Sequence, residues 1–185
     1  MTRSETIAAF LQDVKRILAE DGDRGPNLER IAERMRQLLA EPVIRQWQGE
    51  PGGNVHRGQS SVPLYQEENG LTLMDAGFSP DALTPIHNHN SWGIVGVYRG
   101  RDRYQVWRRV DAGSGAGEAH VQLVEERILE PGDVAIMPPP PQDIHAQQGY
   151  DGQTAYELVL FGNNPQGKPR LYFEPEHHTA SLRQL

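Results

Sequence analysis

Apolar residues recur at helical spacing in the N-terminal part of the chain. In residues 4–20 they fall on one helical face, and Thr2 with Glu5 fits a capping box just ahead of it. A second stripe follows Gly25 and ends before Pro42, which cannot continue a helix. The two stripes consist of Ile7, Phe10, Leu11, Val14 and Leu18, and of Leu28, Ile31, Met35, Leu38 and Leu39. We expect two amphipathic helices that pack on the main body of the protein.

From about residue 43 onward, short apolar runs alternate with clusters of Gly, Pro and Asn. The runs lie at 61–66, 70–76, 93–99, 103–110, 119–129, 133–137, 154–161 and 170–173. Many short strands at a spacing of roughly 8–12 residues are typical of a β-sandwich or barrel rather than a parallel α/β fold. We therefore predict one mainly β domain, with helices in 1–42, a barrel in 43–173 and a polar C-terminal tail over 174–185 that wraps the surface.

The amino-acid composition excludes several kinds of active site and several classes of partner. The chain of 185 residues has no cysteine, so disulfides, thiolate metal sites and a Cys nucleophile are excluded, and any metal must be held by His, Asp or Glu. A formal net charge of −7 argues against nucleic acid or an anionic membrane as the main partner, and a small molecule is expected instead. The N-terminus lacks the apolar run of a signal peptide and no run approaches the ~18 apolar residues of a membrane span, which predicts a cytoplasmic protein. The oligomeric state stays open.

Three of the seven histidines form a candidate metal site. His87 and His89 are two residues apart, so on a strand both imidazoles project from one face. A second apolar run, Val134–Met137, lies between a Pro-Gly turn and a proline run and leads to His145. Three neutral imidazoles suit Fe(II), Zn, Ni or Cu and leave coordination positions open for a substrate or O2. By contrast, His120, His177 and His178 lie in polar segments and are expected to be solvated.

In these segments the sequence resembles the cupin superfamily. The first cupin motif, G-x5-H-x-H-x3-4-E-x6-G, is matched by His87, His89 and the closing Gly100, with Gly93 where the acidic ligand is expected. The second motif, G-x5-P-x-G-x2-H, is matched by Gly132, Pro138, Pro140 and His145, with Gln142 in place of its last glycine. The resemblance implies a double-stranded β-helix, or jelly-roll, barrel with the two N-terminal helices packed on it.

Within the cupins, a three-histidine site without the acidic ligand is similar to the cysteine dioxygenase-like family of thiol dioxygenases. The Trp92-Gly93 pair after the H-x-H matches the bacterial branch of that family, and the resemblance extends over residues 5–173. It implies a non-haem Fe(II) enzyme that uses O2 to oxidise a thiol to a sulfinate. The cysteine-tyrosine cross-link of the animal members is impossible here, because Gly93 stands near the position of its cysteine.

The resemblance fails at a strand that carries a Ser-x-His-x-Tyr triad in the family. Aligning Phe161-Gly162 with the family's Tyr-Gly places Glu157, Val159 and Phe161 at the three positions, so no member of the triad is present. In this register Glu157 would face the metal and could bind a substrate amine, act as a base or become a fourth ligand. A slip of one residue would turn Tyr156 inward instead and point Glu157 away. Glu157 and Tyr156 are therefore the candidate catalytic residues.

The arginine that binds the substrate carboxylate in the family is also missing from its expected position. The stretch 60–66, where the family supplies an arginine, has none, which leaves Arg57 or Arg170 as a substitute. Arg170 is preferred because some bacterial relatives carry an arginine shortly after the Tyr-Gly, and a guanidinium fork matches a carboxylate. The residues proposed to bind substrate are Arg170, Tyr65 and Trp92, with His56 and Tyr104 as further candidates at the mouth of the barrel.

Three functions of different classes follow. The first is an Fe(II)-dependent dioxygenase in which His87, His89 and His145 hold iron, and in which the substrate is a small thiol other than cysteine or another metal-chelating compound. The second is an isomerase or hydrolase that uses Zn, Mn or Ni with Glu157 as base. The third is a cupin that binds a small molecule without catalysis. The Fe(II)-dependent dioxygenase is the function that we expect.

Overall fold

The computed structural model describes residues 1–23, 25–49 and 59–184. In these ranges the helices are α1 (Arg3–Asp21), α2 (Gly25–Ala40) and the short α3 (Pro42–Arg45). The predicted capping box is present: the Glu5 backbone N–H donates to the Thr2 hydroxyl, and the Thr2 N–H donates to the Glu5 carboxylate. Both predicted helices are thus confirmed, and α3 is an addition. No helix in the described ranges is long and apolar enough to cross a membrane.

Short strands occupy most of the chain after residue 58. In order they are β1 (Gln59–Gln66), β2 (Thr72–Phe78), β3 (Ile86–His87), β4 (Gly93–Arg99), β5 (Asp102–Arg109), β6 (Gly117–Glu118), β7 (Val121–Leu129), β8 (Val134–Met137), β9 (His145–Gly149), β10 (Ala155–Phe161), β11 (Arg170–Glu174) and β12 (Thr179–Arg183). Every strand predicted from the sequence is present. Strand β3 was expected only from the strand placement of His87 and His89, and β6, β9 and β12 were not predicted.

The strands form two antiparallel sheets that enclose an interior. One sheet has the order β1-β2-β10-β4-β8, and the other has the order β6-β12-β11-β3-β9-β5-β7. Apolar side chains from both sheets meet between them, among them Met74, Val95, Tyr104 and Val159. The prediction of a mainly β, cupin-type jelly-roll barrel is confirmed by this arrangement.

The helices cover the outer face of the five-stranded sheet. Met35 of α2 is fully buried against that sheet, together with Ile94 and Leu158. Gly96 in β4 allows this close approach, because a Cβ atom there would lie 2.8 Å from Cγ of Met35. The sheet therefore has an outer face sealed by helices and an inner face that looks into the barrel.

The C-terminal segment is part of the barrel, which corrects the prediction of a surface tail over 174–185. Strand β12 pairs with β11 over its full length and also with β6. Ala180 of β12 is buried against the seven-stranded sheet. The five-residue strand has too few apolar positions to be recognised by alternation, and its pairing with β11 supplies the order.

Candidate metal centre

Three buried imidazoles meet inside the barrel. His87 ends β3, His145 begins β9, and these two residues are directly paired across the strands. Nε2 of His89 lies 3.0 Å from Nε2 of His87 and 3.1 Å from Nε2 of His145. One ligand nitrogen from each ring lies within 4.8 Å of the others, and all three residues are buried. The structure therefore brings together the three residues that the sequence singled out as metal ligands.

A carboxylate positions the second histidine of the pair. Strand β3 ends at His87, so the expectation of an H-x-H on one strand is wrong for His89, which lies in the turn that follows. The buried Asp143 carboxylate accepts the backbone N–H of His89 at 2.9 Å and that of Ser91 at 3.4 Å. This contact holds the turn so that the His89 ring reaches the same point as the strand residues.

Hydrogen bonds on the far side of the rings indicate which nitrogens carry protons. His87 Nδ1 lies 2.8 Å from the Pro85 carbonyl oxygen, which can only accept, so Nδ1 carries the proton and Nε2 has a free lone pair. His145 Nδ1 lies 3.2 Å from the Tyr104 hydroxyl. Burial lowers the pKa of all three imidazoles, to about 4 for His87, and the positive charge of Arg170 lowers each of them further. Neutral imidazoles are the form that binds metal.

The arrangement fits a divalent metal held by three nitrogens. Lone pairs directed at one point repel each other unless a cation or proton lies between them, and this donor set suits Fe(II), Zn, Ni or Cu. Gly93 occupies the cupin position for an acidic ligand. A Cβ atom there would lie 2.5 Å from Cε of Met137 and 3.2 Å from the Leu160 carbonyl oxygen. A longer side chain at this position would have to displace Met137, and among the described residues the candidate site consists of three nitrogens.

The histidines line a cavity that opens to solvent. Phe161 forms one wall, with its ring centroid 4.6 Å from that of His89. Further apolar lining comes from Met74, Ala76, Phe78 and Val159, and polar lining comes from Gln59, Ser61, Gln147, Gln166 and Arg170. The cavity has the mixed character of a small-molecule site, with apolar walls and several polar groups that can fix the orientation of a ligand.

Arg170 brings a positive charge to this cavity without a carboxylate partner. One guanidinium nitrogen donates to the Pro165 carbonyl oxygen at 3.4 Å, and Nε is buried with no partner among the described residues. No salt bridge to Arg170 occurs in the described part of the chain. Burial lowers its pKa from the usual value, but a guanidinium stays charged in proteins. The predicted substrate-binding arginine therefore lies where an anionic group of a ligand could pair with it.

The register of β10 settles which residues face the interior. Glu157, Val159 and Phe161 point inward, and Val159 and Phe161 line the cavity, as the alignment without a slip predicts. Glu157 is fully buried, but its carboxyl accepts a hydrogen bond from Gln147 and is not among the groups that line the cavity. The structure thus does not bring the predicted catalytic carboxyl to the histidines.

Three other predicted site residues lie on the helix-facing side of the sheet and do not line the cavity, so these placements were wrong. Tyr156 alternates with Glu157 and packs beside Tyr98. Trp92 precedes the inward-facing Gly93 and packs into the core under the helices. A bulge in β1 after Pro63 turns Tyr65 outward, where its hydroxyl accepts from Lys15 and donates to Glu67. The candidates His56 and Arg57 lie outside the described residues.

Sequence reasoning missed several polar residues at and beside the site, among them Asp143, Gln147 and Asp102. Gln147 follows His145 by two residues on β9, so the alternation of side chains places both on the cavity face. The spacing of two residues from His145 could have identified Gln147 from the sequence. Asp102, the buried partner of the Gln147 amide, comes from β5, and no local pattern connects the two.

Comparison with known proteins gives only distant likenesses. No protein-family model matches the sequence. Among solved structures, KdgF from Halomonas sp. shares 19% identity over 60% of this chain and 85% of that one, with a TM-score of 0.44. Oxalate oxidase in complex with glycolate shares 18% identity over 72% of this chain and 65% of that one, with a TM-score of 0.48. An RmlC-like cupin from Shewanella frigidimarina NCIMB 400 shares 16% identity over 63% and 86%, with a TM-score of 0.46. Likeness at this level assigns no chemistry to the chain.

Proposed function

We propose that the protein is a non-haem Fe(II)-dependent dioxygenase that acts on a small, carboxylate-bearing thiol other than cysteine, or on another small metal-chelating acid. One observation carries the proposal: three buried imidazole nitrogens and an arginine without a carboxylate partner open into the same cavity. A set of three neutral ligands leaves positions for both a substrate atom and O2. The proposal also rests on the resemblance of the motifs around His87, His89 and His145 to the cysteine dioxygenase-like cupins.

The histidines would hold the metal through Nε2, and the outer nitrogens of His87 and His145 would fix those two rings. Nδ1–H of His87 donates to the Pro85 carbonyl, and with a metal on Nε2 the Nδ1–H of His145 would donate to the Tyr104 hydroxyl. Such partners orient metal-binding imidazoles and set their tautomer. When bound, Fe(II) supplies a Lewis acid that lowers the pKa of a coordinating thiol and a redox centre for O2 chemistry.

Arg170 would bind the carboxylate of the substrate. Its planar guanidinium offers parallel N–H donors that match the two oxygens of a carboxylate. Binding would pair a charge that the metal-free protein leaves without an anion among its described residues. Val159 and Phe161 form an apolar wall beside the histidines, which excludes water from the space next to the metal.

The same wall argues against cysteine as the substrate. The family positions for Ser, His and Tyr hold Glu157, Val159 and Phe161, so no hydroxyl from this strand can donate to bound oxygen or substrate. The alternative of a non-oxygenase enzyme with Glu157 as base is not favoured, because that carboxyl is held behind Gln147.

The test is oxygen consumption by the anaerobically Fe(II)-loaded protein with a panel of thiols and chelating aromatic acids. We expect 3-mercaptopropionate or a related thiol acid to consume one O2 per molecule and to yield a sulfinate that contains both oxygen atoms, detected by mass spectrometry. His145→Ala should abolish the reaction, whereas His120→Ala, a surface control, should retain it. If no thiol causes oxygen consumption but another acid is turned over, the proposed sulfur chemistry is refuted. Activity of the zinc-loaded protein in the absence of O2 would refute the proposal that the protein is an oxygenase.

A further inference from the structure

Two carboxyl groups are buried together behind the metal centre, and the proposed reaction does not use them. Asp102 of β5 and Glu157 of β10 belong to different sheets, and neither has exposed surface. The side-chain amide of Gln147 lies between them: Nε2 donates to Oδ2 of Asp102 at 3.1 Å and to Oε2 of Glu157 at 2.7 Å. The backbone N–H of Gln148 also donates to Asp102, at 3.2 Å. The network therefore joins the two sheets through one glutamine.

Burial favours a state of this carboxyl pair in which one member is neutral. Burial, reinforced by the negative charge of Asp102, raises the pKa of Glu157 well above its usual range, and burial raises the pKa of Asp102 to about 6. Two carboxylates so close in a buried site do not both ionise. The stronger rise at Glu157 favours a neutral Glu157 beside an ionised Asp102. Neither carboxyl lines the cavity, so neither takes a proton directly from a ligand there.

This network fixes the direction of the Gln147 amide. Its two N–H groups are used by carboxyl oxygens, so the atom that remains is the carbonyl oxygen, Oε1, and the alternative flipped amide would place Oε1 against the carboxyls. No donor to Oε1 occurs among the described residues, and Gln147 is only 2% exposed. Gln147 lines the cavity beside His145, on the same face of β9. A rigid hydrogen-bond acceptor is thereby presented to the ligand.

We propose that Gln147 Oε1 selects the substrate by accepting a hydrogen bond from it, and that the Asp102 and Glu157 carboxyls are positioning groups for this amide. This inference rests on the proposed function and adds to it the class of substrate: a small acid with a hydroxyl group in addition to the carboxylate held by Arg170. An acceptor that a bound ligand shields from water and leaves unpaired costs binding energy, so analogues that lack the donor bind more weakly.

Paired ligands test the acceptor directly. Isothermal titration calorimetry without O2 compares 3-mercaptolactate with 3-mercaptopropionate, and lactate with propionate, on the Fe(II)-loaded protein; each pair differs by one hydroxyl. We expect the hydroxyl-bearing ligand to bind about fivefold tighter or more. Gln147→Met should reduce that ratio to about one. The matched control is Gln148→Met on the opposite face of β9, where the native amide donates to the Pro80 carbonyl, and it should keep the ratio.

The role of the carboxyl pair has a separate test. Glu157→Gln mimics the neutral acid, because its amide can donate to Asp102 and accept from Gln147, so the ligand preference should survive. Glu157→Leu should lose it, and a simple packing role would give no such difference between the two variants. Equal binding of both ligands of each pair to the native protein, or an unchanged ratio in Gln147→Met, would overturn the inference. Preference within the lactate pair without sulfinate formation from any thiol would refute only the proposed sulfur chemistry.

Discussion

Replacing Arg170 by methionine is expected to stabilise the metal-free protein while it removes ligand binding. The guanidinium is largely buried, yet its only protein hydrogen bond among the described residues is the long one to the Pro165 carbonyl. Removing a charge from water without an ionic partner costs several kcal/mol, and part of that cost is recovered by solvent at the cavity mouth. Methionine carries no charge and reaches about as far as Nε of arginine, so it replaces the buried stem and leaves the place of the terminal nitrogens to solvent.

We expect the free energy of unfolding to rise by about 1–2 kcal/mol in Arg170→Met, by comparison with buried charges that have been replaced by apolar residues. For a protein of this size that corresponds to an increase in Tm of about 2–8 °C. Urea denaturation followed by circular dichroism measures the free energy, with the metal removed so that the ion does not contribute. The same variant should lose the stabilisation that a carboxylate ligand gives the native protein.

An exposed arginine supplies the matched control. Arg108 lies on β5 with an exposed side chain and has no ion pair in the described part of the chain, so Arg108→Met should change the free energy of unfolding by no more than about 0.5 kcal/mol. A loss of more than 1 kcal/mol in Arg170→Met relative to this control would refute the reasoning, because it would mean that Arg170 has a stabilising partner. Retained carboxylate binding would refute its role as the anchor.

Three further changes test other parts of the structure. Gly96→Val would force a side chain against Met35 under α2 and should lower the free energy of unfolding by about 1–3 kcal/mol in urea titrations; an unchanged value would contradict the close helix packing. Tyr104→Phe removes the hydrogen bond to His145 Nδ1 and should weaken Zn affinity in a competition assay about tenfold or more, whereas unchanged affinity would argue against that contact. The raised pKa of Glu157 means that the folded state keeps a proton that the unfolded chain releases above pH 4.5, so the free energy of unfolding falls as pH rises. Glu157→Gln should flatten that fall between about pH 5 and pH 8. An equally steep profile in the variant would contradict a neutral Glu157.

Local sequence pattern was sufficient for the helices and for the longer strands. The capping box at Thr2 and the apolar stripes of α1 and α2 are local signals, and the structure contains each of them. Strand β9 was missed because its residues, His145 to Gly149, are polar although most are buried. They face a cavity or pair with other buried polar groups, and alternation of apolar and polar residues does not reveal such a strand.

The candidate site was predictable as far as motif spacing and strand alternation extend. His87, His89 and His145 were identified from their motifs, and the inward direction of Glu157 followed from the register of one strand. The bulge after Pro63 could not be foreseen, and it turned Tyr65 away from the cavity. Contacts between distant segments could not be predicted from the sequence either, because each depends on how the two sheets pack together.

The central claim is that three imidazole nitrogens hold one divalent metal. The most direct test is iron analysis of the protein after anaerobic loading with Fe(II) and desalting, compared among the native protein, His87→Ala, His145→Ala and the surface control His120→Ala. We predict about one iron per chain for the native protein and the control, and less than about a tenth of that for the two site variants, because two remaining imidazoles bind Fe(II) weakly. Equal iron content in all four proteins would contradict the account.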